Sequence, residues 1–135
     1  MADPQASLAD HPISRQPVAG AVWRQALAEQ RIHHAYLVMG RDASECAAFV
    51  AAAAQTLVCQ QRTGCGECQG CRMYRNERHA DVHRLRPNDK GVIPVDAVRS
   101  LSQRLSMRAL EGGYKVVEVC AAESMNPAAQ NALLK

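Results

Sequence analysis

The sequence predicts an α/β fold in which helices flank a short parallel sheet. Short apolar runs alternate along the chain with longer segments of helical periodicity, and this alternation is typical of a parallel sheet. Apolar residues make up 47% of the 135 residues and aromatic residues only 4%, and 23 residues are alanine. Because alanine favours helices and buries little area, we expect helices around a core of a few Val, Leu and Ile runs.

The first half of the chain predicts an arm, a helix and a buried strand. Residues 1–16 are rich in Pro, Asp, Ser and Gln, and we interpret them as a flexible N-terminal arm. A helix is predicted from Pro17 to about Gln30. Its inner face would be formed by Val18, Val22, Ala26 and Leu27. Residues 35–39, AYLVM, predict a buried strand that ends at Gly40.

A second helix is predicted over residues 44–58, which are almost all good helix formers. Ser44 is its expected N-cap residue. The expected buried stripe consists of Cys46, Val50, Ala53 and Leu57. Residues 36–58 therefore predict a strand, a tight turn and a helix.

The second half of the chain predicts two more strands and two more helices. Residues 80–86 indicate a strand with Val82 as its clearest buried member, and residues 88–91 indicate a turn. Pro94 and Asp96 open a helix to about Met107, which a break at residues 111–113 follows. Its inner face would be formed by Val95, Val98, Leu101 and Leu105. Residues 115–120 predict a strand, and Asn126–Pro127 begin a last helix.

No membrane span or signal peptide is apparent in the sequence. The longest uncharged run, Cys46–Gln61, is shorter than the ~20 apolar residues that a membrane helix needs. Residues 1–12 lack the basic and apolar regions of a secretory signal. We therefore expect a cytoplasmic chain with reduced cysteines and no membrane partner.

Positive charge is concentrated in the middle of the chain. The net charge of +3 is too small to indicate a nucleic-acid binder by itself. Residues 59–108, however, hold ten Arg and Lys against five Asp and Glu, while all other residues hold six against eight.

Four cysteines in this basic segment predict a metal site. Cys59, Cys65, Cys68 and Cys71 have the spacing C-x5-C-x2-C-x2-C, with glycines that allow tight turns. Four thiolates satisfy the tetrahedral coordination of structural Zn²⁺ and leave no open position for catalysis. Disulfides, a redox pair and ordinary free thiols are the alternatives, and a reducing compartment favours zinc over disulfides.

The remaining cysteines and two nearby histidines are expected to have no such role. His79 and His83 follow the cluster, and a site filled by four cysteines needs neither of them. We expect them to be ordinary strand-end and surface residues. Cys46 and Cys120 are isolated, and we interpret both as buried, apolar-like residues.

The glycine after the first apolar run lies where a phosphate-binding loop would lie. Such a loop reads G-x-x-x-x-G-K-[ST], because its backbone, lysine and hydroxyl hold the phosphates and Mg²⁺. Here Gly40 is present, but Glu45, Cys46 and Ala47 replace the second glycine, the lysine and the hydroxyl residue. Taken alone, residues 40–47 are a strand-to-helix turn without the P-loop lysine.

In their order along the chain, these features resemble the N-terminal AAA+ module of bacterial DNA polymerase III clamp-loader subunits. The motifs that carry the resemblance are His34–Leu37, Gly40, the cysteine cluster, His79–Val82, Val95–Arg99, Lys115–Val117 and Asn131–Lys135. The resemblance implies a P-loop-type, three-layer αβα core over residues 17–135, with a zinc knuckle inserted at residues 59–78. It also implies a partial module, since the family continues beyond this point, and we expect exposed apolar surface near Leu133 and Leu134.

The resemblance is to the delta-prime branch of this family, whose nucleotide site is degenerate. In the active gamma/tau branch two acids end the Walker B strand, and Cys120 and Ala121 stand at those positions here. Glu118 lies two positions too early to replace them. With the lysine, the hydroxyl and both acids absent, we expect no ATP, no Mg²⁺ and no catalytic residues.

The implied function is that of a non-catalytic clamp-loader subunit in DNA replication. Its partners would be the gamma/tau and delta subunits, and through the complex the sliding clamp and primed DNA. One alternative is an active gamma/tau-type ATPase. Another is a zinc module that binds nucleic acid through basic side chains, which otherwise form a solvated face. These side chains are Arg62, Arg72, Arg75 and Arg78.

Overall fold

The structure is a computed structural model that describes residues 11–106 and 113–134. Its helices are α1 (Pro17–Ala28), α2 (Ala43–Val58), α3 (Gln69–Arg75), α4 (Val95–Leu105) and α5 (Pro127–Leu133). The strands are β1 (Val82–Leu85) and β2 (Val116–Val119), and a 3₁₀ turn follows at Ala122–Ser124. The chain divides into two compact units, Met1–Cys71 and Arg72–Lys135.

Helix α1 has the predicted extent but a different buried face. Gly20 and Trp23 are its buried residues, whereas the side chains of Val18 and Val22 are 80% and 57% exposed. The predicted inner face is wrong because the turn before the helix covers its other side. Ile13 is buried there, and a Cβ atom on Gly20 would lie 2.2 Å from the Ile13 carbonyl oxygen.

The predicted strand at residues 35–39 is absent from the structure. These residues are irregular, and the side chains of Leu37 and Met39 are 75% and 80% exposed. Tyr36 instead packs edge-on against Trp23, with ring centroids 5.2 Å apart. A strand requires a hydrogen-bonding neighbour, and within the described residues this segment has none, so its apolar composition does not produce one.

Helix α2 begins one residue earlier than predicted and has a different cap. Asp42, not Ser44, is the N-cap residue, and its side chain accepts hydrogen bonds from the amides of Ser44 and Glu45. The helix buries Phe49, Ala52, Ala53, Ala54, Thr56 and Leu57. The predicted stripe is thus right for Ala53 and Leu57, whereas Cys46 and Val50 are only half-buried.

The second unit contains the parallel sheet that the sequence predicts. Strands β1 and β2 pair in parallel with Val82 opposite Val116 and Leu85 opposite Val119. Helix α4 packs its predicted face against the sheet. The fully buried core consists of Leu85, Ile93, Val98, Leu101 and Ala129. The mixed α/β class is therefore confirmed, with two strands in the described part of the sheet.

The turn and the last helix of the second unit also follow the predictions. The Asn88 side chain accepts from the amides of Lys90 and Val92 and so closes the turn between β1 and α4. Asn126 caps α5 by accepting from the Ala129 amide at 2.8 Å.

Some terminal and membrane-related expectations can also be compared with the structure. Residues 1–10 of the expected arm, Met107 and the predicted break at residues 111–112 lie outside the described ranges. As expected, Leu133 and Leu134 are exposed, at 39% and 85%. Within the described residues, the helices are too short or too polar to cross a bilayer.

Candidate metal centre

The four predicted cysteines converge in the first unit. Their Sγ atoms all lie within 4.8 Å of one another. The Sγ of Cys59 is 3.7 Å from that of Cys65 and 3.9 Å from that of Cys68, and the Sγ atoms of Cys65 and Cys71 are 4.0 Å apart. All six cysteines of the chain are described, and all are free thiols.

The backbone between α2 and α3 brings the thiols together. Cys59 is the C-cap residue of α2 and Cys71 lies within α3, so both are fixed by helices and buried. Gly66, between the other two cysteines, has a φ of +79°, which favours glycine. A Cβ atom on Gly70 would lie 2.1 Å from the Val58 carbonyl oxygen, so only glycine allows this close approach of α3 to the end of α2.

Backbone amides point at the sulfur atoms and act on their pKa values. Burial is the largest single influence on Cys59 and acts to raise its pKa, but backbone amides, including that of Cys65, together lower it to about 5. Hydrogen bonds from the amides of Gln60 and Cys71 lower the pKa of Cys68. Burial raises the pKa of Cys71 to about 12. Amides directed at sulfur stabilise thiolates, which are the form that binds metal.

The cluster fits a tetrahedral metal. Zinc–sulfur bonds of 2.3 Å in a tetrahedron separate the sulfur atoms by about 3.8 Å. The separations between Cys59, Cys65 and Cys68 are close to this value. Within the described residues, this group of potential metal ligands is made up of the four cysteines alone. Four close cysteines could therefore hold a metal ion, and this donor set is consistent with structural zinc.

The two histidines after the cluster have structural positions in the second unit. His79 is buried before β1, and its Nδ1 accepts a hydrogen bond from the Asp81 amide at 3.2 Å. His83 is half-buried within β1, and burial lowers its pKa. Neither belongs to the cysteine cluster, as the sequence predicted, although His79 is not the surface residue that we expected.

In the glycine loop, residues 40–47, a side chain of the loop accepts hydrogen bonds from the backbone amides. The Asp42 carboxylate accepts from the Ser44 amide at 2.9 Å, from the Ser44 hydroxyl at 2.6 Å and from the Glu45 amide at 3.3 Å. These bonds, the hydroxyl bond first, lower the pKa of Asp42, so the carboxylate stays charged. Amides at the start of a helix are the groups that bind phosphate, and here a carboxylate occupies two of them.

Three other residues of the glycine loop stand where a P-loop has its second glycine, its lysine and its hydroxyl. Glu45, in place of the second glycine, forms an ion pair with Arg15 at 3.4 Å. The Cys46 sulfur lies so close that a Cβ atom on Gly40 would be 2.9 Å from it. Ala47 is exposed in the first turns of α2 and offers no hydroxyl.

The end of β2 likewise carries no acid. The amide of Cys120 donates to the carbonyl of Leu85 at 2.9 Å, and its side chain is half-buried. Ala121 follows with a φ of +54°, in the left-handed region. Cys120 and Ala121 therefore occupy the edge where the carboxyl ends of the two parallel strands meet, without a metal-binding oxygen in either side chain.

Glu118 forms a hydrogen bond and an ion pair that the sequence did not predict. It is 6% exposed, accepts from the Tyr74 hydroxyl, and pairs with Arg84, its cross-strand neighbour, at 3.3 Å. The Arg84 guanidinium also lies 4.8 Å from the centre of the Tyr74 ring. Burial and the Glu118 carboxylate raise the pKa of Tyr74. The sequence predicts strands that contain Arg84 and Glu118, but it does not predict the register that places the two residues opposite each other.

Comparison with known proteins identifies relatives of the chain. The family described as DNA polymerase III, delta subunit, matches residues 15–135. The DNA polymerase III subunit delta' of Escherichia coli K12 is 39% identical over 109 residues, 78% of this chain and 33% of that protein. That of Pseudomonas aeruginosa is 37% identical over 123 residues, 88% of this chain and 38% of that protein. The chain thus spans little more than a third of the length of these relatives.

Proposed function

The chain belongs to the DNA polymerase III delta subunit family, and from this membership we propose that it acts as a delta-prime-type subunit of a clamp loader. The observation that carries the proposal is the family match over residues 15–135, together with relatives named subunit delta'. Within the complex it would be a rigid, non-catalytic member of a subunit ring. Its partners would be gamma/tau and delta subunits, which bind ATP and the clamp.

The proposed lack of catalysis follows from the glycine loop and from the end of β2. ATP hydrolysis needs a phosphate cradle and a held Mg²⁺ at the same time. In the glycine loop, the Asp42 carboxylate would repel a phosphate and already uses the amides of Ser44 and Glu45. At the end of β2, Cys120 and Ala121 supply no ligand for Mg²⁺. Two independent losses argue against the alternative of an active gamma/tau-type ATPase.

We further propose that the cysteine cluster binds one structural Zn²⁺. Cys59, Cys65, Cys68 and Cys71 would be the four ligands, since their sulfur separations suit a tetrahedral ion. The ion would supply stability and no chemistry, because four thiolates leave no position open for water or substrate. A cytoplasmic location, where thiols stay reduced, is consistent with this role.

The two-stranded sheet would belong to a three-layer αβα core of the AAA+ type. In such a core residues 17–135 form part of one module, and residues 59–78 form the inserted knuckle. The ring would load the sliding clamp onto primed DNA when its ATP-binding neighbours change state. In that cycle this chain would provide binding surfaces for other subunits and would catalyse no reaction itself.

The proposed function is tested by reconstitution. The chain, in its full natural length, is mixed with gamma/tau and delta subunits, and complex formation is measured by size-exclusion chromatography with light scattering. We expect a stoichiometric complex whose ATPase and clamp-loading activities need the chain. The isolated chain should contain one zinc and bind no ATP in an equilibrium titration. Failure to enter the complex, or micromolar ATP affinity of the chain alone, would overturn the proposal.

A further inference from the structure

Helix α3 carries arginines whose charge is directed outwards. Arg72 and Arg75 are three residues apart in its last turn, and both are exposed. Residues at this spacing lie on the same side of a helix, with Cβ atoms about 5–6 Å apart. Arg78 is also exposed and follows shortly after the helix ends. We call Arg72, Arg75 and Arg78 the arginine face.

The end of α3 fixes Arg78 beside the other two. Glu77 adopts a left-handed φ of 55°, its amide donates to the Tyr74 carbonyl, and the Arg78 amide donates to the Met73 carbonyl. This pair of bonds defines a Schellman motif, which folds the chain back against the last turn of a helix. The backbone of Arg78 is therefore held at the same helix end as Arg72 and Arg75, and is not part of a free loop.

Two other arginines of the basic segment form ion pairs. Arg84 pairs with buried Glu118 and stacks on Tyr74, and Arg86 pairs with Glu77 at 2.8 Å. By contrast, neither Arg72 nor Arg78 has an ion pair or a side-chain hydrogen bond within the part of the chain that the structure describes. Part of the basic surplus of residues 59–108 is therefore exposed at the arginine face.

We propose that the arginine face contacts the phosphate backbone of DNA. This deepens the proposed function and rests on it, since the loader would bring the chain to primed DNA. Three guanidinium groups at one helix end suit a row of phosphates, because each can bind a phosphate through two parallel hydrogen bonds. With no base-reading element assigned, the contact would be independent of base sequence. Favourable interaction with the dipole of α3 is the alternative role of the arginine face, since all three residues lie at the C-terminal end of the helix.

Salt dependence of DNA binding tests the proposal. The loader complex containing the full chain is titrated with a fluorescein-labelled primer–template at several salt concentrations, and anisotropy is recorded. The face variant carries Arg72→Gln, Arg75→Gln and Arg78→Gln. The slope of log K against log salt is negative, and each lost phosphate contact reduces its magnitude by about 0.9, so we expect a magnitude smaller by about 2–3.

A matched variant controls for net charge. Arg31→Gln, Arg99→Gln and Arg104→Gln remove the same charge from exposed side chains elsewhere, and we expect the wild-type slope from this variant. Melting temperature, zinc content and complex stoichiometry are measured for both variants. If the face variant does not fold, the single variants Arg72→Gln and Arg78→Gln replace it. Each should then reduce the magnitude of the slope of log K against log salt by about 0.9.

The outcomes distinguish this inference from the proposed function. An unchanged slope in a complex that assembles normally would overturn the inference and leave the function standing. A face variant that assembles poorly while binding DNA with the wild-type slope would also overturn it, because the face would then be a protein interface. A wild-type chain that never joins the complex would overturn the proposed function itself.

Discussion

The cysteine loop (residues 59–71) and the glycine loop (residues 40–47) lie at opposite ends of α2 and share several parts. Each has glycine, cysteine and a turn beside the helix, and in each, backbone amides are directed at side-chain acceptors. In the cysteine loop the amides of Cys65, Cys68 and Cys71 donate to sulfur atoms. In the glycine loop, amides donate to the carboxylate of Asp42.

The two loops differ in what remains available after these bonds are made. The four sulfur atoms still face one another at distances that suit a shared cation. The Asp42 carboxylate, by contrast, uses the helix amides that an anionic ligand would need. Internal hydrogen bonds therefore assist the potential metal-binding groups in the cysteine loop and would compete with an anionic ligand in the glycine loop.

Removal of one thiol has the largest expected effect. Cys71→Ser should abolish zinc binding and lower the free energy of unfolding by more than about 4 kcal/mol, because loss of a structural metal removes folding free energy. Cys46→Ser, in the glycine loop, is the matched control and should retain one zinc and nearly wild-type stability. Elemental analysis and denaturant unfolding measure both. A Cys71→Ser protein with full zinc content would contradict the ligand assignment.

Replacing the close-packed glycine of each loop by alanine should lower the free energy of unfolding by different amounts. Gly70→Ala places a Cβ atom 2.1 Å from the backbone oxygen of Val58, so α2 and α3 must move apart. We expect a loss of about 2–3 kcal/mol and weaker zinc binding, as for other overpacked sites. Gly40→Ala meets the flexible Cys46 side chain at 2.9 Å and should cost less. Equal losses on urea unfolding would show that the Val58 contact is not restrictive.

Loss of the Asp42 carboxylate should have a smaller effect with a defined pH dependence. The pKa of Asp42 is lowered in the folded chain, first by the Ser44 hydroxyl, so its contribution to stability is present above pH ~4 and is lost as pH falls further. Asp42→Ala should lower the melting temperature at pH 7 and lower it less at pH 3, where the charged part of the cap is weakened. Asp42→Asn should keep most of the cap. An Asp42→Ala deficit that persists undiminished at pH 3 would contradict this role.

The smallest expected effect is that of returning a lysine to the glycine loop. Cys46→Lys restores the phosphate-binding cation of a P-loop, but Asp42 and the missing Mg²⁺ ligands remain. We expect no measurable ATP binding in an equilibrium titration, even with Asp42→Ala added. Micromolar ATP affinity of Cys46→Lys would mean that the glycine loop differs from a functional P-loop by one residue only. This result would weaken the case against nucleotide binding.

Predictability differed between the two units for a physical reason. Residues 35–39 and 116–119 are both apolar runs, and both predict strands. The second run became β2 because β1 pairs with it and α4 covers the sheet. The first run has no strand partner within the described residues, and its side chains remain exposed. Composition reports the tendency to form a strand, while pairing decides whether one forms.

Helix faces were predictable only where nothing outside the helix intervened. The face of α4 follows from the spacing of Val98 and Leu101, and the structure confirms it. The face of α1 does not follow from spacing, because Ile13 lies against the helix at Gly20, where the absence of a side chain leaves room, and Trp23 is buried instead of Val18 and Val22. Trp23 donates a hydrogen bond to Thr56 at 3.0 Å, a contact between residues 33 positions apart in sequence.

The sequence by itself predicted the α/β class, which the structure confirms, and it also predicted a ligand set in the cysteine cluster and a degenerate nucleotide loop. Residue types and short spacings set all three, because thiolates within a few residues of one another can reach one ion and a missing lysine cannot be supplied by folding. Only the tertiary structure decided that Asp42 is the cap, that Glu118 is held by Tyr74 and Arg84, and that residues 35–39 are not a strand. The last two features depend on strand register and on contacts between distant residues, which short-range patterns do not encode. The Asp42 cap is a local contact, and the sequence left Asp42 and Ser44 as competing cap residues two positions apart.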